Sequence, residues 1–282
     1  MSRCPGLQLC GGVASRNGVF FLSMPTKLGT GFRSALSKIT DMIRKHFIVE
    51  KALGIMKCER VVIQMFGGED AQRIYRSLSA PHRKFPIVGS KTLGVALSRV
   101  PENPSEIFQG KHFHEARRKK NRAAKAGFAV KKVAPMEYFE SIYAINTSKP
   151  IRQSRPLEAY LANKSQVLAF CEESSEIYGC FGRNNELVAY AHGTICGDVF
   201  VLDRFIGNHE YLDLGIMFLI NFEILTDMVR SRELHGVPHW IQHDMYFVAS
   251  AGARQFKKEA GFSPYRVKWV WDNERILPSR IA

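Results

Sequence analysis

The stretch from Glu186 to Ser231 leaves the chain the fewest ways to fold. Two runs, Glu186-Leu-Val-Ala-Tyr-Ala-His-Gly-Thr-Ile-Cys196 and Val199-Phe-Val-Leu-Asp-Arg-Phe-Ile206, are separated by Gly197 and Asp198 alone. Two β-rich runs flanking a two-residue Gly/Asp turn read as a hairpin. After a loop, Gly207 to Asp213, a nearly all-apolar segment runs from Leu214 to about Val229. A helix apolar on most sides is buried rather than half exposed. The expectation is a central hairpin feeding a core helix, with further strands on either side.

Upstream, Ser34 to Leu53 sets Leu36, Ile39, Ile43 and Phe47 at helical spacing, with Lys38 and Lys45 on the other side. That spacing predicts an amphipathic helix. Arg60 to Phe66 predicts a strand closed by Gly67-Gly68, Glu69 to Leu78 a short helix, and Phe85 to Val88 and Thr92 to Val100 two strands. Pro101-Glu-Asn-Pro-Ser105 reads as a linker from its turn residues. Ile107 to Ala126 predicts a basic helix ending at Gly127, Phe128 to Val133 a strand, and Pro135 the start of a helix through Tyr138, Ile142 and Ile145. Pro150 and Pro156 forbid a continuous helix across Lys149 to Pro156, which reads as a loop. Leu157 to Leu161 predicts one or two helical turns, then Gln166 to Cys171 and Glu176 to Phe181 two strands. Beyond the core helix come a strand over Val237 to Met245, a helix over Ala249 to Ala260 ended by Gly261, and a last strand over Tyr265 to Trp271.

The 282 residues are 45% hydrophobic and 23% charged, enough for one large domain or two small ones. No apolar run reaches the ~18 residues of a membrane helix. The best candidate, Leu214 to Leu225, is interrupted by Asn221 and Glu223. Cysteines stand at 4, 10, 58, 171, 180 and 196, with no C-x-x-C spacing and no zinc-finger pattern. A reduced, cytoplasmic protein without a metal is the expectation. The first 40 residues lack Asp and Glu but carry Arg3, Arg16, Lys27, Arg33 and Lys38. Such a start reads either as a transit peptide or as an extension before Met24. Residues 1–25 are expected to be disordered, 26–105 to form an N-terminal α/β region without an assigned role, and 106–282 to form the main domain.

Net charge is +14, and Lys111 to Lys132 supplies +8 of it: nine Lys or Arg against Glu115. A concentrated positive field attracts polyanions such as nucleic acid. Arg117, Arg118, Lys119, Lys120, Arg122 and Lys125 are the candidate contacts to tRNA or DNA phosphates, and a plain solvated face is the alternative.

The order of elements from residue 110 to 272 resembles the GNAT acyltransferase fold, with one strand more than its usual three before the core helix. Gln255-Phe-Lys-Lys-Glu-Ala-Gly-Phe-Ser-Pro264 is similar to that family's late helix and Gly-Phe turn. Lys119-Lys-Asn-Arg-Ala-Ala-Lys-Ala-Gly-Phe128 resembles a segment of the FemAB-like branch, which transfers amino acids from aminoacyl-tRNA. The fold class implied is mixed α/β (α+β): a mostly antiparallel sheet flanked by helices, with an extra N-terminal α/β region. The resemblance implies a donor held at the core helix start, by Phe205, Ile206, Leu214, Gly215 and Ile216. The family's phosphate loop keeps only Gly215 here, its basic residue is gone, and Glu210 and Asp213 bring negative charge. Acidic residues there also suit the helix dipole without any ligand.

Acyl transfer to an amine requires a held donor, removal of a proton and a stabilised oxyanion. Asp203 lies mid-strand among apolar residues, where a carboxylate is matched to taking a proton near neutral pH. His192 on the neighbouring strand can reach the same cleft. His243, Asp244 and Tyr246 form a polar cluster at a strand end, with His243 as a substrate contact and Asp244 and Tyr246 as catalytic candidates. Phe256 stands where the resemblance implies a proton-donating Tyr, a role Tyr246 would have to fill. Arg152 and Arg155, between two prolines, are candidate substrate contacts because guanidinium groups bind carboxylate or phosphate bidentately.

Three functions follow. One is an N-acyltransferase moving an acyl or aminoacyl group from acyl-CoA or aminoacyl-tRNA to a primary amine by direct attack. The second is a non-catalytic nucleic-acid-binding protein on a degenerate version of the same fold. The third is an acyltransferase that modifies nucleic acid.

Overall fold

The computed structural model of the chain describes residues 53–82, 85–152 and 155–277. The expected disorder of 1–25 and most of the expected helix over Ser34 to Leu53 lie outside the described residues. The elements are β1 (Arg60–Met65), α1 (Glu69–Ser79), β2 (Pro81–His82), β3 (Phe85–Gly89), β4 (Leu93–Arg99), α2 (His114–Lys125), β5 (Ala129–Val133) and α3 (Phe139–Thr147). There follow β6 (Ile151–Arg152), β7 (Arg155–Pro156), α4 (Ala159–Ala162), α5 (Lys164–Glu173), β8 (Ile177–Phe181), β9 (Leu187–Cys196) and β10 (Val199–Gly207). The chain closes with α6 (Ile216–His235), β11 (Trp240–Met245), α7 (Ala251–Glu259) and β12 (Ser263–Trp271).

Eight strands form one mixed, mostly antiparallel sheet in the order β1-β12-β4-β11-β10-β9-β8-β5. Only β1 with β12 and β10 with β11 run parallel. The hairpin forms as expected, with Val199 opposite Cys196 across Gly197 and Asp198. Alternation along β10 sends Val199 and Val201 to one face and Phe200 and Leu202 to the other. The first face is covered by α1 and by α3–α5, the second by α2, α6 and α7. Helix α6 buries Ile216 to Asn221, then Ile224, Leu225, Met228 and Val229. Each large aliphatic or aromatic side chain among them contributes about 1.5–3 kcal/mol when removed from water. No helix of the described residues is long and apolar enough to cross a membrane.

Three expectations change. Gln166 to Cys171 is not a strand but the body of α5. Asn163 starts that helix, its side chain accepting from the backbone N–H of Ser165 and Gln166 at 3.0 and 3.2 Å. With that segment helical, three strands rather than four (β8, β9 and β10) run from α5 to α6. The extra strand thereby disappears.

Second, the basic helix is shorter than Ile107 to Ala126. Phe108 and Gly110 take φ of 58° and 88°, which no helix accommodates, so α2 starts only at His114. Third, β1 and β4 belong to the main sheet, with β4 inserted between β11 and β12. The break expected at residue 105 is therefore not a boundary of that sheet. The loop expected over Lys149 to Pro156 contains the small β6–β7 ladder, which sets Arg152 opposite Arg155. Gln153 and Ser154 between them lie outside the described residues.

Candidate functional site

Strands β10 and β11 pair only through Val199, Val201 and the residue between, opposite Trp240 to Gln242. Beyond Gln242 the partner of β11 is β4 alone, and beyond Val201 the partner of β10 is β9 alone. Two parallel neighbours thus part at mid-length, leaving a wedge whose two sides are the rest of β10 and the end of β11.

On β10 the wedge begins at an irregularity. Leu202 faces Gly193 and Arg204 faces His192, so Asp203 is one residue too many for its partner strand. Such a bulge bends the strand and re-aims side chains. Here the Asp203 carboxylate meets His192, with Oδ1 2.6 Å from Nδ1. The two side chains are 47% and 19% exposed, so the pair sits at the surface of the α3–α5 face. Asp203 is not sunk among apolar groups, as its sequence neighbours suggest, because the bulge turns it outward. The His192 ring packs edge-on against Phe170 of α5, centroids 5.3 Å apart. In the tautomer that carries its proton on Nδ1, the imidazole donates to Asp203 and keeps the Nε2 lone pair for accepting another proton.

The opposite side of the wedge is aromatic. Phe205 of β10 lies 5.1 Å from His243 of β11 and 5.5 Å from Phe256 of α7, and Phe256 lies 4.9 Å from Phe218 of α6. The Nδ1 of His243 is buried without a hydrogen-bond partner. Burial and the charge of Lys257 push this imidazole down to about 3, so it is neutral at any physiological pH. Asp244 is held at a left-handed φ of 50° and pairs with Lys91 at 3.1 Å. Burial works against its ionisation, but Lys91 and Lys257 outweigh that and hold the carboxyl below its usual range. Tyr246 is half buried, with its ring beside Phe247. The sequence candidates therefore fall into two groups. His192 and Asp203 touch on the α3–α5 face, whereas His243 and Tyr246 pack with the core of the other face.

The start of α6 is closed. Gly215 has φ 90°, and a Cβ added there would run into the Lys119 carbonyl, whose carbon would lie only 2.8 Å away. Helix α2 therefore passes directly over the first turn of α6, where Gly215, Ile216 and Met217 are buried. Leu214 and Phe205 are partly buried against the same core, and Ile206 faces the α3–α5 cluster. Lys119 also bridges to Glu259 of α7 at 2.6 Å, fastening α2 across the helix start.

Several basic residues of α2 already have partners within the chain, although Arg118 stays exposed. Arg117 bonds the carbonyls of Phe108 and Gly110, Arg118 pairs with Glu115 at 2.7 Å, and Lys120 lies 4.1 Å over the Phe222 ring. Arg122 and Lys125 are exposed. Three groups that the sequence did not single out adjoin the site: Arg204, Gln242 and Lys257. Gln242 is buried with its side-chain N–H unpaired, and Lys257 is buried with Nζ on the Met245 carbonyl at 2.8 Å. A polar or charged residue adjoining the wedge strands was the available signal. No group of three or more metal-ligating side chains gathers among the described residues.

No protein-family profile and no curated protein matches the chain. Solved structures to which it is similar include a C-terminal domain assigned to a lysylphosphatidylglycerol synthetase from Agrobacterium fabrum, at 11% identity and a TM-score of 0.41. That match covers 60% of this chain and 57% of the other. L-PGS from Bacillus licheniformis matches at 12% identity and 0.40, over 61% of this chain and 59% of that one. FemX matches at 9% identity and 0.47, also over 61% and 59%. The chain thus spans less than two thirds of each of these structures.

Proposed function

We propose that the protein transfers an acyl or aminoacyl group to a primary amine, with the amine attacking the donor carbonyl directly. The observation that carries the reading is the carboxylate–imidazole pair, 2.6 Å apart, on the bulge where two parallel strands separate. In the proposed mechanism His192 takes the amine proton on Nε2, and Asp203 orients the ring and steadies the imidazolium. The role first expected of Asp203 thus passes to the histidine it holds. The donor carbonyl lies in the wedge. Its oxyanion is met by backbone N–H groups of β10 beyond Leu202, which have no strand partner on the β11 side. Collapse of the tetrahedral intermediate expels the donor's leaving group, and Tyr246, at the end of β11 on the other face of the sheet, is the sequence candidate to supply its proton.

The covered start of α6 favours an aminoacyl-tRNA donor over acyl-CoA. A coenzyme pyrophosphate at the amides of Ile216 and Met217 would have to displace α2. A tRNA-borne group needs no such site and would find Arg118, Arg122 and Lys125 on the outer side of α2. Arg152 and Arg155 remain candidate contacts for the acceptor.

The test is a transfer assay with acetyl-CoA and with aminoacyl-tRNA against a panel of small primary amines. His192→Gln and Asp203→Asn should each cost about 100- to 10,000-fold in turnover while leaving the melting temperature near that of the parent. Failure of the parent protein to acylate any amine from either donor refutes the reading. Full activity in His192→Gln refutes the assignment of the base.

A further inference from the structure

The chemistry above uses Asp203 and leaves its neighbour Arg204 without a part. Consecutive residues of a strand ordinarily point to opposite faces. The bulge between Leu202 and Arg204 cancels that alternation, so both side chains project to the α3–α5 face. Asp203 turns to His192, and the Arg204 guanidinium lies over Phe170, 3.7 Å from the ring centroid, and 5.5 Å from that of Tyr160. Among the described residues no ion pair engages Arg204; the adjacent carboxylate is already bound to His192. Its Nη1 is sealed from solvent and has no hydrogen-bond partner, while the guanidinium also faces the buried Tyr190 hydroxyl and opposes the upward push of burial on that group's pKa.

A guanidinium is charged at every accessible pH and presents its donors in a planar fork that matches carboxylate or phosphate. Stacking on an aromatic ring fixes the plane of that fork without using its N–H edge. Arg204 as a whole is only partly buried, so an anion approaches the guanidinium from its solvent side and there gains a charge-assisted contact. The strand irregularity therefore sets a proton acceptor and an anion receptor side by side, walled by Phe170 and Tyr160.

We infer that Arg204 binds an anionic group, carboxylate or phosphate, that the acceptor carries near its amine. The inference rests on the transferase reading and narrows it: the acceptor is zwitterionic, like an amino acid or a phosphorylated amino alcohol, rather than a simple amine. Arg204 fixes the acceptor while His192 receives its proton.

Four small probes test it by calorimetric titration of the full chain. β-Alanine is compared with β-alaninamide, and O-phosphoethanolamine with ethanolamine. In at least one pair the anionic member should bind about tenfold tighter or more, as expected for a charge-assisted forked contact. The pair with the larger ratio identifies the anion. Arg204→Met should bring the ratio to about one while keeping the affinity for the neutral member, and Arg204→Lys should give an intermediate ratio. A residue that merely anchors α5 would lower the melting temperature on substitution and leave the ratio unchanged, which overturns the inference. So does a parent protein that prefers neither anion, or binds none of the four. If the preference is present but no amine is acylated in the transfer assay, the transferase reading falls and the anion site stands.

Discussion

Lys257→Met probes how the open end of β11 is held, and its effect has a definite sign. Lys257 is 3% exposed, and its Nζ donates to the Met245 carbonyl at 2.8 Å. Burial pulls its pKa from 10.5 down to about 8, with Asp244 opposing the change and Lys91 adding to it. A base with a depressed pKa binds fewer protons folded than unfolded between those two values. Stability contributed through this group is therefore gained as pH rises from about 8 toward 10.5. Below pH 8 both states are protonated and the full cost of the buried charge persists. At 1.36 kcal/mol per pH unit that cost is about 3 kcal/mol. Methionine removes it but orphans the Met245 carbonyl, which offsets about 1–2 kcal/mol. The variant should be more stable than the parent by about 1–2 kcal/mol at pH 7, raising the melting temperature by roughly 2–8 °C. The advantage should vanish or reverse near pH 10.5.

The difference between the two proteins is the quantity to read. Burial also raises the thiol pKa values of Cys58, Cys171, Cys180 and Cys196, so stability falls as pH passes their usual 9. That loss is common to both proteins and cancels. Urea denaturation at pH 7, 8, 9 and 10 supplies the measurement. A variant no more stable than the parent at pH 7, or an advantage that stays constant up to pH 10, refutes the argument.

Gly215→Ala combines a left-handed backbone with a Cβ driven into the Lys119 backbone. It should destabilise the protein by about 2–4 kcal/mol, from roughly 1 kcal/mol of backbone strain and the rest from overpacking. An unchanged denaturation midpoint would show that α2 is not packed tightly on α6. Replacing Arg118, Arg122 and Lys125 together by Gln should flatten the dependence of log K on log salt for tRNA binding by about 2–3. An unchanged slope reduces α2 to a solvated face.

The hairpin and α6 were readable because their patterns are local: a two-residue turn between apolar runs, and a helix apolar on most sides. Helix α5 was misread because Gln166-Val-Leu-Ala-Phe-Cys171 is a short apolar run, ambiguous between strand and helix. The deciding signal was present in Asn163 with Gln166 three residues on, a capping pattern, and in Val167, Phe170 and Cys171 at helical spacing. Asp203 and His192 were legible as residues, since charged groups inside apolar strands stand out. Their pairing was not, because it depends on a bulge that no residue type announces. For the same reason Arg204 read as a mere neighbour of Asp203. The burial of the α6 start was equally hidden: Gly215 looks like a remnant of a phosphate loop, whereas its lack of a side chain admits a second helix. The basic run gave its charge correctly but not its availability, because Arg117 is consumed by the Phe108 and Gly110 carbonyls just upstream and Lys119 by Glu259, far along the chain.

The insertion of β4 between β11 and β12 bears on how the molecule comes into being. Leu93–Arg99 leaves the ribosome long before either of its neighbours exists, and β1 likewise waits for β12. Until the last strands are made, two apolar ribbons stand with bare edges, open to mispairing. A fragment starting at residue 106 would lack the strand that joins β11 to β12, so its sheet would end at β11 with β12 unattached.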